Sequence, residues 1–266
     1  MSDLLLVERL GHVETWTINL PEQRNPISGL DVVEAFEANL ERVNADLAVR
    51  CVVLTGAGSA FSAGGNVADM RARAGMFAGG PWELRNGYRR GIQRLPLAMQ
   101  ASEVPMVAAV NGPAVGAGCD LAMMCDLRVI SSRGWFAESF VQLGLIPGDG
   151  GAWFLTQAIG PLRAAEMALT GDRVDAPTAL EWGLVNSVVE PEELLPAAVA
   201  LAERVAKNPA HSTRMAKRLL RESQLGSLGS VLELSATMQA VSHHTADHEE
   251  AMAAMLEKRP GRYDGR

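Results

Sequence analysis

The 266-residue sequence has few cysteines and no long apolar run. Its three cysteines are an odd number without metal-ligand spacing, which argues against a disulfide framework. No segment approaches the ~20 apolar residues that a membrane span requires. The first residues contain no cationic leader, and their apolar run is too short for a signal peptide. We therefore expect a cytoplasmic protein.

Basic residues are scarce relative to acidic ones. The formal net charge is −7 and the sequence pI is about 5.3. This balance argues against nonspecific binding to nucleic acid or to an anionic membrane surface. Basic tracts interleaved with aromatic residues are also missing, which argues against RNA binding. The overall charge does not exclude a local basic pocket for a phosphorylated ligand.

The nucleotide-binding fingerprints are absent too. Residues 112–118, Gly-Pro-Ala-Val-Gly-Ala-Gly, lack the G-x-G-x-x-G spacing, and no lysine follows them as in a P-loop. We expect no dinucleotide cofactor.

The order of apolar segments predicts one α/β domain with a helical C-terminal extension. From residue 3 to about 190, short β-type runs alternate with helical runs, and from residue 191 to 256 every signal is helical. Apolar residues at helical spacing predict an amphipathic helix over residues 30–47. The predicted strands, of which the first two form a hairpin, are Leu4–Arg9, Val13–Asn19, Arg50–Thr55, Met106–Val110 and Leu127–Ile130.

Two turns rich in glycine join a strand to a helix. The first glycine turn spans residues 56–66 and the second spans residues 111–120. Such turns leave backbone N–H groups at a helix N-terminus free to bind an anion or a developing oxyanion. Together they can supply one donor each. Tight connection alone is the simpler alternative for either turn.

Five segments resemble the crotonase, or enoyl-CoA hydratase/isomerase, family in order and spacing. They span nearly the whole chain, which makes the resemblance more specific than any single motif. The segments are Phe61-Ser-Ala-Gly-Gly-Asn66, residues 105–120, Leu143-Gly-Leu-Ile-Pro-Gly-Asp-Gly-Gly151, Leu169-Thr-Gly-Asp172 and Gly183-Leu-Val185.

The resemblance implies a spiral of β-β-α units. It divides the chain into a crotonase-fold core with the acyl-CoA site over residues 1–195 and a helical region over residues 196–266, which serves oligomerisation and pocket closure. The implied substrate is a coenzyme A thioester, with no separate cofactor and no metal. The implied assembly is a homotrimer or homohexamer.

The resemblance also implies site residues. The backbone N–H groups of Gly65 and Ala117 correspond to the family's oxyanion hole. The first catalytic glutamate corresponds to Asp120, and the second corresponds to Phe140. Further residues predicted to bind substrate are Arg24, as a candidate for the coenzyme A phosphates, Ala63, whose backbone would meet the adenine, and Asn66.

The missing second carboxylate leaves two candidates for its replacement. Asp149 lies in a loop that lines the pocket in the family, although it is also suited to cap the helix beginning at 150–151. Glu138 would point the same way as Phe140 if residues 135–140 are extended. The alternative for Glu138 is a position at the rim of the pocket or at a subunit interface, with no catalytic role. For Asp120 the alternative is a favourable interaction with the helix dipole.

Other residues of reactive or ligand-binding types give weaker indications of a functional role. Cys119 is expected to be a buried apolar thiol rather than a nucleophile. His244 and His248 have metal-ligand spacing, but a solvated helix face is expected. A basic stripe (Arg214, Lys217, Arg218, Arg221) is expected to be solvated, with coenzyme A phosphates as the alternative, for which Lys258 and Arg259 are further candidates. Glycines within residues 66–95 suggest a mobile cover over an acyl pocket. Residues that would line this pocket, or equally form core or trimer contacts, are Met70, Met76, Phe77, Trp82 and Leu84.

The expected reaction is hydration of a 2-enoyl-CoA through a thioester enolate held by Gly65 and Ala117. Double-bond isomerisation by a single aspartate is the first alternative, because one base can remove a proton at one carbon and return it at another. A hydrolase-type crotonase reaction and a noncatalytic acyl-CoA-binding or RNA-binding role are the others.

Overall fold

A computed structural model describes residues 4–265. Its larger sheet has six strands in the order β1-β2-β3-β4-β6-β9. The pairing is antiparallel between the first two strands and parallel elsewhere. The five strands predicted from sequence are confirmed to within one residue at each end. The strands of this sheet are β1 (Leu5–Leu10), β2 (Val13–Ile18), β3 (Cys51–Gly56), β4 (Met106–Val110), β6 (Leu127–Ser131) and β9 (Ser187–Val189).

The chain also forms a smaller sheet, and its alternation between the two sheets produces a spiral. The smaller sheet consists of β5 (Pro113–Val115), β7 (Trp135–Ala137) and β8 (Arg173–Asp175), in that order. Isolated parallel bridges join Ser62 to Ala114 and Pro26 to Gly64. Strands β2, β3, β4 and β6 are thus each followed by a short extended segment at the smaller sheet and then by helix. This repetition is the β-β-α unit that the family resemblance implies.

Side chains of the larger sheet alternate between two apolar layers, as the pleat requires. Val52 and Leu54 join the main core with Trp16 and Phe36, whose rings lie edge to face with centroids 6.3 Å apart. Val53 and its neighbours on the other face pack against α8. The helices are α1 (Leu30–Ala45), α2 (Val67–Ala72), α3 (Pro81–Arg90), α4 (Arg94–Ala101), α5 (Ala117–Met124), α6 (Gly151–Thr170), α7 (Ala176–Glu181), α8 (Leu194–Ala206), α9 (Ala210–Ser223), α10 (Leu228–Ser242) and α11 (Ala246–Glu257).

Two helices matter most for the site. Every residue of α5 is buried, so the polar side chain of Asp120 is carried into the interior. Helix α6 bends at Gly160, which has a positive φ of 75°, and continues through Pro161. Proline has no N–H for the preceding turn, which accounts for the bend.

The C-terminal helices differ in their contacts. Helix α8 begins at Leu194, so the predicted division at residue 195 falls in its first turn, and the helix covers the outer face of the larger sheet. Helix α10 packs against α9 and has no buried residue. Within residues 4–265, no helix is long and apolar enough to cross a membrane. The cytoplasmic location stays a prediction.

Three of the four residues of the basic stripe on α9, Arg214, Lys217 and Arg221, bind groups within the protein, which corrects the expectation of a solvated face, whereas Arg218 is exposed as expected. Arg214 donates to the carbonyl oxygen of Val43 at 2.9 Å, and Lys217 donates to that of Val104 at 2.6 Å. Both side chains are buried. They satisfy carbonyl groups at the ends of strands and helices, and they are therefore not free to bind the phosphates of a ligand.

Candidate active site

The two glycine turns lie side by side. Ser62 N–H donates to the carbonyl of Pro113 at 3.2 Å, and Val115 N–H donates to the carbonyl of Ser62 at 3.0 Å. Gly64 has a positive φ of 83°, and a Cβ there would overlap the carbonyl oxygen of Val115. The same Cβ would lie 3.1 Å from the amide nitrogen of Ala117. Glycine is therefore required for this close approach.

The predicted oxyanion donors are both free. Ala117 is the first residue of α5, after Gly116 with a φ of 52°. A residue at that position has no acceptor within its own helix. Among the described residues, neither the Gly65 N–H nor the Ala117 N–H donates a hydrogen bond. Two adjacent turns thus present two unpaired amide donors, as a developing oxyanion requires.

Two buried polar residues that the sequence reasoning missed hold the first turn in shape. Ser62 Oγ donates to the carbonyl of Asn25 at 2.7 Å and accepts from Gly64 N–H at 3.1 Å. Asn25 Nδ2 donates to the carbonyl of Ala60 at 2.8 Å. Asn25 has a φ of 56°, a conformation that asparagine tolerates better than most residues. The Ser in the Phe-Ser-Ala-Gly-Gly motif was the available signal.

Asp120 and Glu138 converge on Gly151. Asp120 lies one turn after Ala117, and Glu138 follows β7 directly. A Cβ on Gly151 would overlap carboxylate oxygens of both residues, so the two carboxyl groups lie together above its Cα. Both are fully buried, and no described side chain donates to their oxygens. The backbone N–H of Gly151 lies near enough to Asp120 to oppose part of the rise in its pKa. We refer to Asp120 and Glu138 as the carboxyl pair.

Asp149 lies close to the carboxyl pair, two residues before Gly151. It is 6% exposed, and its Oδ1 has no donor among residues 4–265. Burial raises the pKa of Asp149 to about 6. Burial also raises the pKa of Asp120 well above its ordinary value, with the charges of Glu138 and then Asp149 adding to the effect. Burial is the largest cause of a rise in the pKa of Glu138 to about 8.

The structure removes the alternatives for two of these carboxylates. The N-cap of α6 is Gly150, with a φ of 108° and no side-chain cap, so Asp149 does not cap the helix. Glu138 is fully buried within one chain, which excludes a position at a rim or subunit interface.

The expected extended segment 135–140 is wrong beyond residue 137. A 3₁₀ helix spans Ser139–Leu143, and Glu138 is its N-cap. Phe140 therefore does not alternate with Glu138. Its ring instead packs on Gly116, 3.5 Å from the position of a Cβ there. An aromatic ring thus lies against the second glycine turn, at the position where the resemblance predicts a glutamate.

The other predicted substrate residues lie at the edge of the first turn. Ala63 N–H donates to the carbonyl of Arg24 at 2.8 Å, which leaves the Ala63 carbonyl as the group able to meet a ligand. The Arg24 side chain is exposed. Asn66 Oδ1 accepts from Ala68 N–H at 3.0 Å and caps α2. The predicted roles of Arg24, Ala63 and Asn66 in binding remain predictions.

A cavity of about 680 Å³, lined mainly by apolar side chains, adjoins the first glycine turn. Met70 packs against Gly65 at one end, and Tyr88 lies 3.6 Å from a Cβ placed on Gly148 at the other. Burial and then the charge of Asp149 raise the pKa of Tyr88, which reflects their proximity. Apolar side chains and Tyr88 form most of the wall, and two arginines complete it: Met70, Phe77, Leu84, Tyr88, Leu143 and Leu145, with Arg71 and Arg73.

The predicted cover over residues 66–95 is built from short helices. Of its five apolar candidates, Met70, Phe77 and Leu84 line the cavity. Met76 packs against the main core, and Trp82 is 66% exposed. Three of the five thus line a cavity and one belongs to the core, while the acyl ligand, the trimer contacts and the mobility of this segment stay predictions.

The residues with weaker signals have no place in this site. Cys119 is buried, and burial raises the pKa of its thiol well above the ordinary value. His248 Nε2 lies 3.1 Å from Nδ1 of His243. Among the residues that the structure describes, no group of three or more His, Cys, Asp and Glu is placed to hold a metal ion. Arg259 pairs with Glu250 at 2.5 Å.

The spiral fold and the paired free amides define an enzyme of the crotonase class. The family model for enoyl-CoA hydratase/isomerase matches residues 9–266, and the chain belongs to this family. The family and fold predicted from sequence are thus confirmed, together with an enzyme of the hydratase/isomerase type.

Relatives from several bacteria support the same assignment. A crotonyl-CoA hydratase from Syntrophomonas wolfei subsp. wolfei is 34% identical over 260 residues, which cover 97% of each chain. A 1,2-epoxyphenylacetyl-CoA isomerase from Escherichia coli (strain K12) is 33% identical over 261 residues, or 97% of this chain and 98% of that one. The crystal structure of an enoyl-CoA hydratase from Bacillus anthracis superposes with a TM-score of 0.92 at 30% identity, covering 99% of this chain and 100% of that chain.

Proposed function

We propose that this enzyme adds water across the double bond of a 2-enoyl-CoA. The observation that carries the proposal is the convergence of Asp120, Glu138 and Asp149 beside the free amides of Gly65 and Ala117. Hydration needs one group to activate water and another to protonate the α-carbon. Phe140 removes the family's second glutamate, and the other buried carboxylates replace it.

The free amides stabilise the charge that forms during the reaction. Attack on the conjugated thioester moves an electron pair onto the thioester oxygen and gives an enolate. The N–H groups of Gly65 and Ala117 donate to that oxygen. Removal of one such donor in other enzymes costs roughly 3–4 kcal/mol of transition-state stabilisation, so two donors account for much of the rate.

Asp149 is the base in this account. With a pKa of about 6 it is ionised at neutral pH and accepts a proton from water, whose oxygen bonds to the β-carbon. Asp120 lies one helical turn from the Ala117 donor and delivers a proton to the α-carbon. A proton then passes from Asp149 to Asp120 through solvent, which restores both groups. The sum of these steps is addition of one water molecule.

The apolar side chains of the cavity favour an apolar acyl chain, and Arg71 and Arg73 add positive charge to its wall. Met70, Leu84 and Leu145 offer no hydrogen-bonding group to the chain that extends beyond Gly65. Coenzyme A enters as part of the substrate, and Arg24 is available at the surface beside Ala63 to meet its phosphates. No separate cofactor or metal takes part in the proposed steps.

Purified enzyme with crotonyl-CoA tests the reaction. Loss of the absorbance of the conjugated thioester, with formation of a 3-hydroxyacyl-CoA in product chromatography, is expected. Asp149→Asn is expected to lower turnover by about 10²–10⁴-fold. Glu192→Gln, which alters an exposed carboxylate, is the matched control and should keep full activity. Tight binding without turnover would instead indicate another substrate or a binding role.

Double-bond isomerisation is the second candidate. Phe140 in place of a glutamate and the isomerase from Escherichia coli among the relatives favour it. One carboxylate, Asp149, would then remove a proton from one carbon and return it to another. A 3-enoyl-CoA substrate would gain the absorbance of a conjugated thioester, with no hydroxyacyl product.

The proposed assembly is a homotrimer or homohexamer. Helix α10 supports it, because large apolar side chains in and around α10 and α11 are exposed in the single chain, among them Leu228, Leu232, Val241, Met255 and Leu256. Exposed apolar surface of this extent marks an interaction site. Light scattering after size exclusion should give a mass of three or six chains, and a monomer would contradict the proposal.

A further inference from the structure

The carboxyl pair has a geometry that a single catalytic carboxylate does not need. Asp120 comes from the buried helix α5, and Glu138 comes from the turn between β7 and the 3₁₀ helix. Their oxygens meet above Gly151, where no side chain fits. Two elements far apart in sequence and one obligatory glycine thus bring two acidic groups into contact in the protein interior.

The surroundings offer these groups no counter-charge. No described side chain donates to an oxygen of either residue, and the donor beside Asp120 is the uncharged backbone N–H of Gly151. The titratable groups that face the pair are Asp149, from the loop before α6, and the thiol of Cys119 on α5. The charge of Arg128 lowers the pKa of the Cys119 thiol, and its guanidinium donates to the carbonyl oxygen of Cys125 at 2.6 Å.

Two touching carboxylates without a cationic partner are strongly disfavoured from being ionised together in a buried site. Each charge disfavours the other, and burial disfavours both. One proton between them removes one charge and satisfies an oxygen of each residue. The pair then titrates as a unit.

We propose that Glu138 is a positioning residue that shares one proton with Asp120, so that the pair, rather than a lone carboxylate, is the acid that protonates the α-carbon. The inference rests on the proposed hydration for its chemical role, whereas the shared proton is a property of the free enzyme. As the proton moves from Asp120 to carbon, the proton that Asp149 has taken from water passes to the pair, so the doubly ionised pair does not accumulate.

The separation of roles follows from the environments of the carboxylates. The raised pKa of Glu138, about 8, keeps a proton on the pair at neutral pH, whereas the lower pKa of Asp149, about 6, leaves that residue ionised. Carboxyl groups with pKa values pushed apart in this way can act as an acid and a base at the same pH.

Infrared spectroscopy of the free enzyme tests the shared proton directly. At neutral pH the wild type should show the carbonyl stretch of a buried, protonated carboxyl group. Glu138→Gln should remove this band, because its amide donates to Asp120 and stabilises the ionised carboxylate. Asp120→Asn should alter it, and Asp149→Asn should keep it. Absence of the band in the wild type, or its persistence in Glu138→Gln, would overturn the inference.

Kinetics provide a second readout that a structural role would not move. The pair must carry its proton to act, so activity is lost as the pair ionises at alkaline pH. Glu138→Gln should shift the alkaline limb of the kcat/KM profile to lower pH and reduce kcat at neutral pH roughly tenfold or more, with little change in KM. An unmoved limb would contradict the inference.

Two further results separate the inference from the proposed function. If the band behaves as expected but crotonyl-CoA is not hydrated, the shared proton stands and the reaction is different. If Glu138→Gln does not fold, the band in the wild type and its pH titration still decide whether the pair is protonated.

Discussion

The carboxyl groups of Asp120 and Glu138 lie against each other above the Cα of Gly151. Strands β6 and β7 lie between them in sequence, and both residues are fully buried. Gly151 is the first residue of α6, so the start of this helix determines how much room the pair has.

Substitution of Gly151 tests this packing. Gly151→Ala should disrupt the pair, because its Cβ would overlap oxygens of Asp120 and Glu138. Small displacements of catalytic groups can cost about 10²-fold in rate, and a loss of at least this size is expected. Gly148→Ala is the matched control, since its Cβ would make only ordinary contacts at 3.6 Å. Equal activity of the two variants would show that the pair tolerates displacement.

The Ala117 donor can be removed by a substitution that the helix tolerates. Ala117 is the first residue of α5, a position that favours proline. Ala117→Pro should therefore fold but lose the N–H, with kcat reduced about 10²–10³-fold. Ala117→Ser keeps the donor and should retain activity. Full activity of the proline variant, verified as folded by circular dichroism, would exclude Ala117 from the oxyanion hole.

The acid limb of the pH–rate profile should reflect ionisation of the Asp149 carboxyl group. Its carboxylate acts as a base only when ionised, so kcat/KM should fall as pH drops through about 6. Asp149→Asn should lower activity at all pH values and abolish this limb. A limb that persists unchanged in the variant would assign it to another group.

Stability should depend on pH through the same residue. The pKa of Asp149 rises from 3.8 to about 6 on folding, so the folded state binds more protons in this interval and its unfolding free energy falls as pH rises through it. Asp149→Asn should therefore stabilise the protein at neutral pH, by at most roughly 3 kcal/mol, and have little effect near the unfolded pKa. Urea unfolding at about pH 4 and about pH 8 measures the difference. A variant less stable than wild type at the higher pH would contradict the expected cost of the buried charge.

Much of the fold could be predicted from local patterns. Alternation predicts the β1–β2 hairpin, and helical spacing predicts α1, whose Val33, Phe36 and Leu40 are buried as expected. Glycine position predicts the two turns, because a residue with positive φ or a close backbone approach leaves a local signal.

The remaining features depend on contacts that a single sequence does not reveal. The pairing of Asp120 with Glu138 depends on a 3₁₀ turn that begins one residue after Glu138 and on the missing side chain of Gly151. The basic stripe of α9 resembles a solvated face, yet Lys217 is covered because carbonyl groups of the core surround it. Neither arrangement follows from local periodicity.

Mass spectrometry of crotonyl-CoA incubated with the enzyme in D₂O tests the central claim most directly. The proposed hydration predicts a product heavier by one water molecule, with one solvent deuterium bonded to the α-carbon, and Asp120→Asn and Asp149→Asn should each suppress its formation. An unchanged substrate mass with the folded wild-type enzyme, or hydration that persists in both variants, would contradict the account.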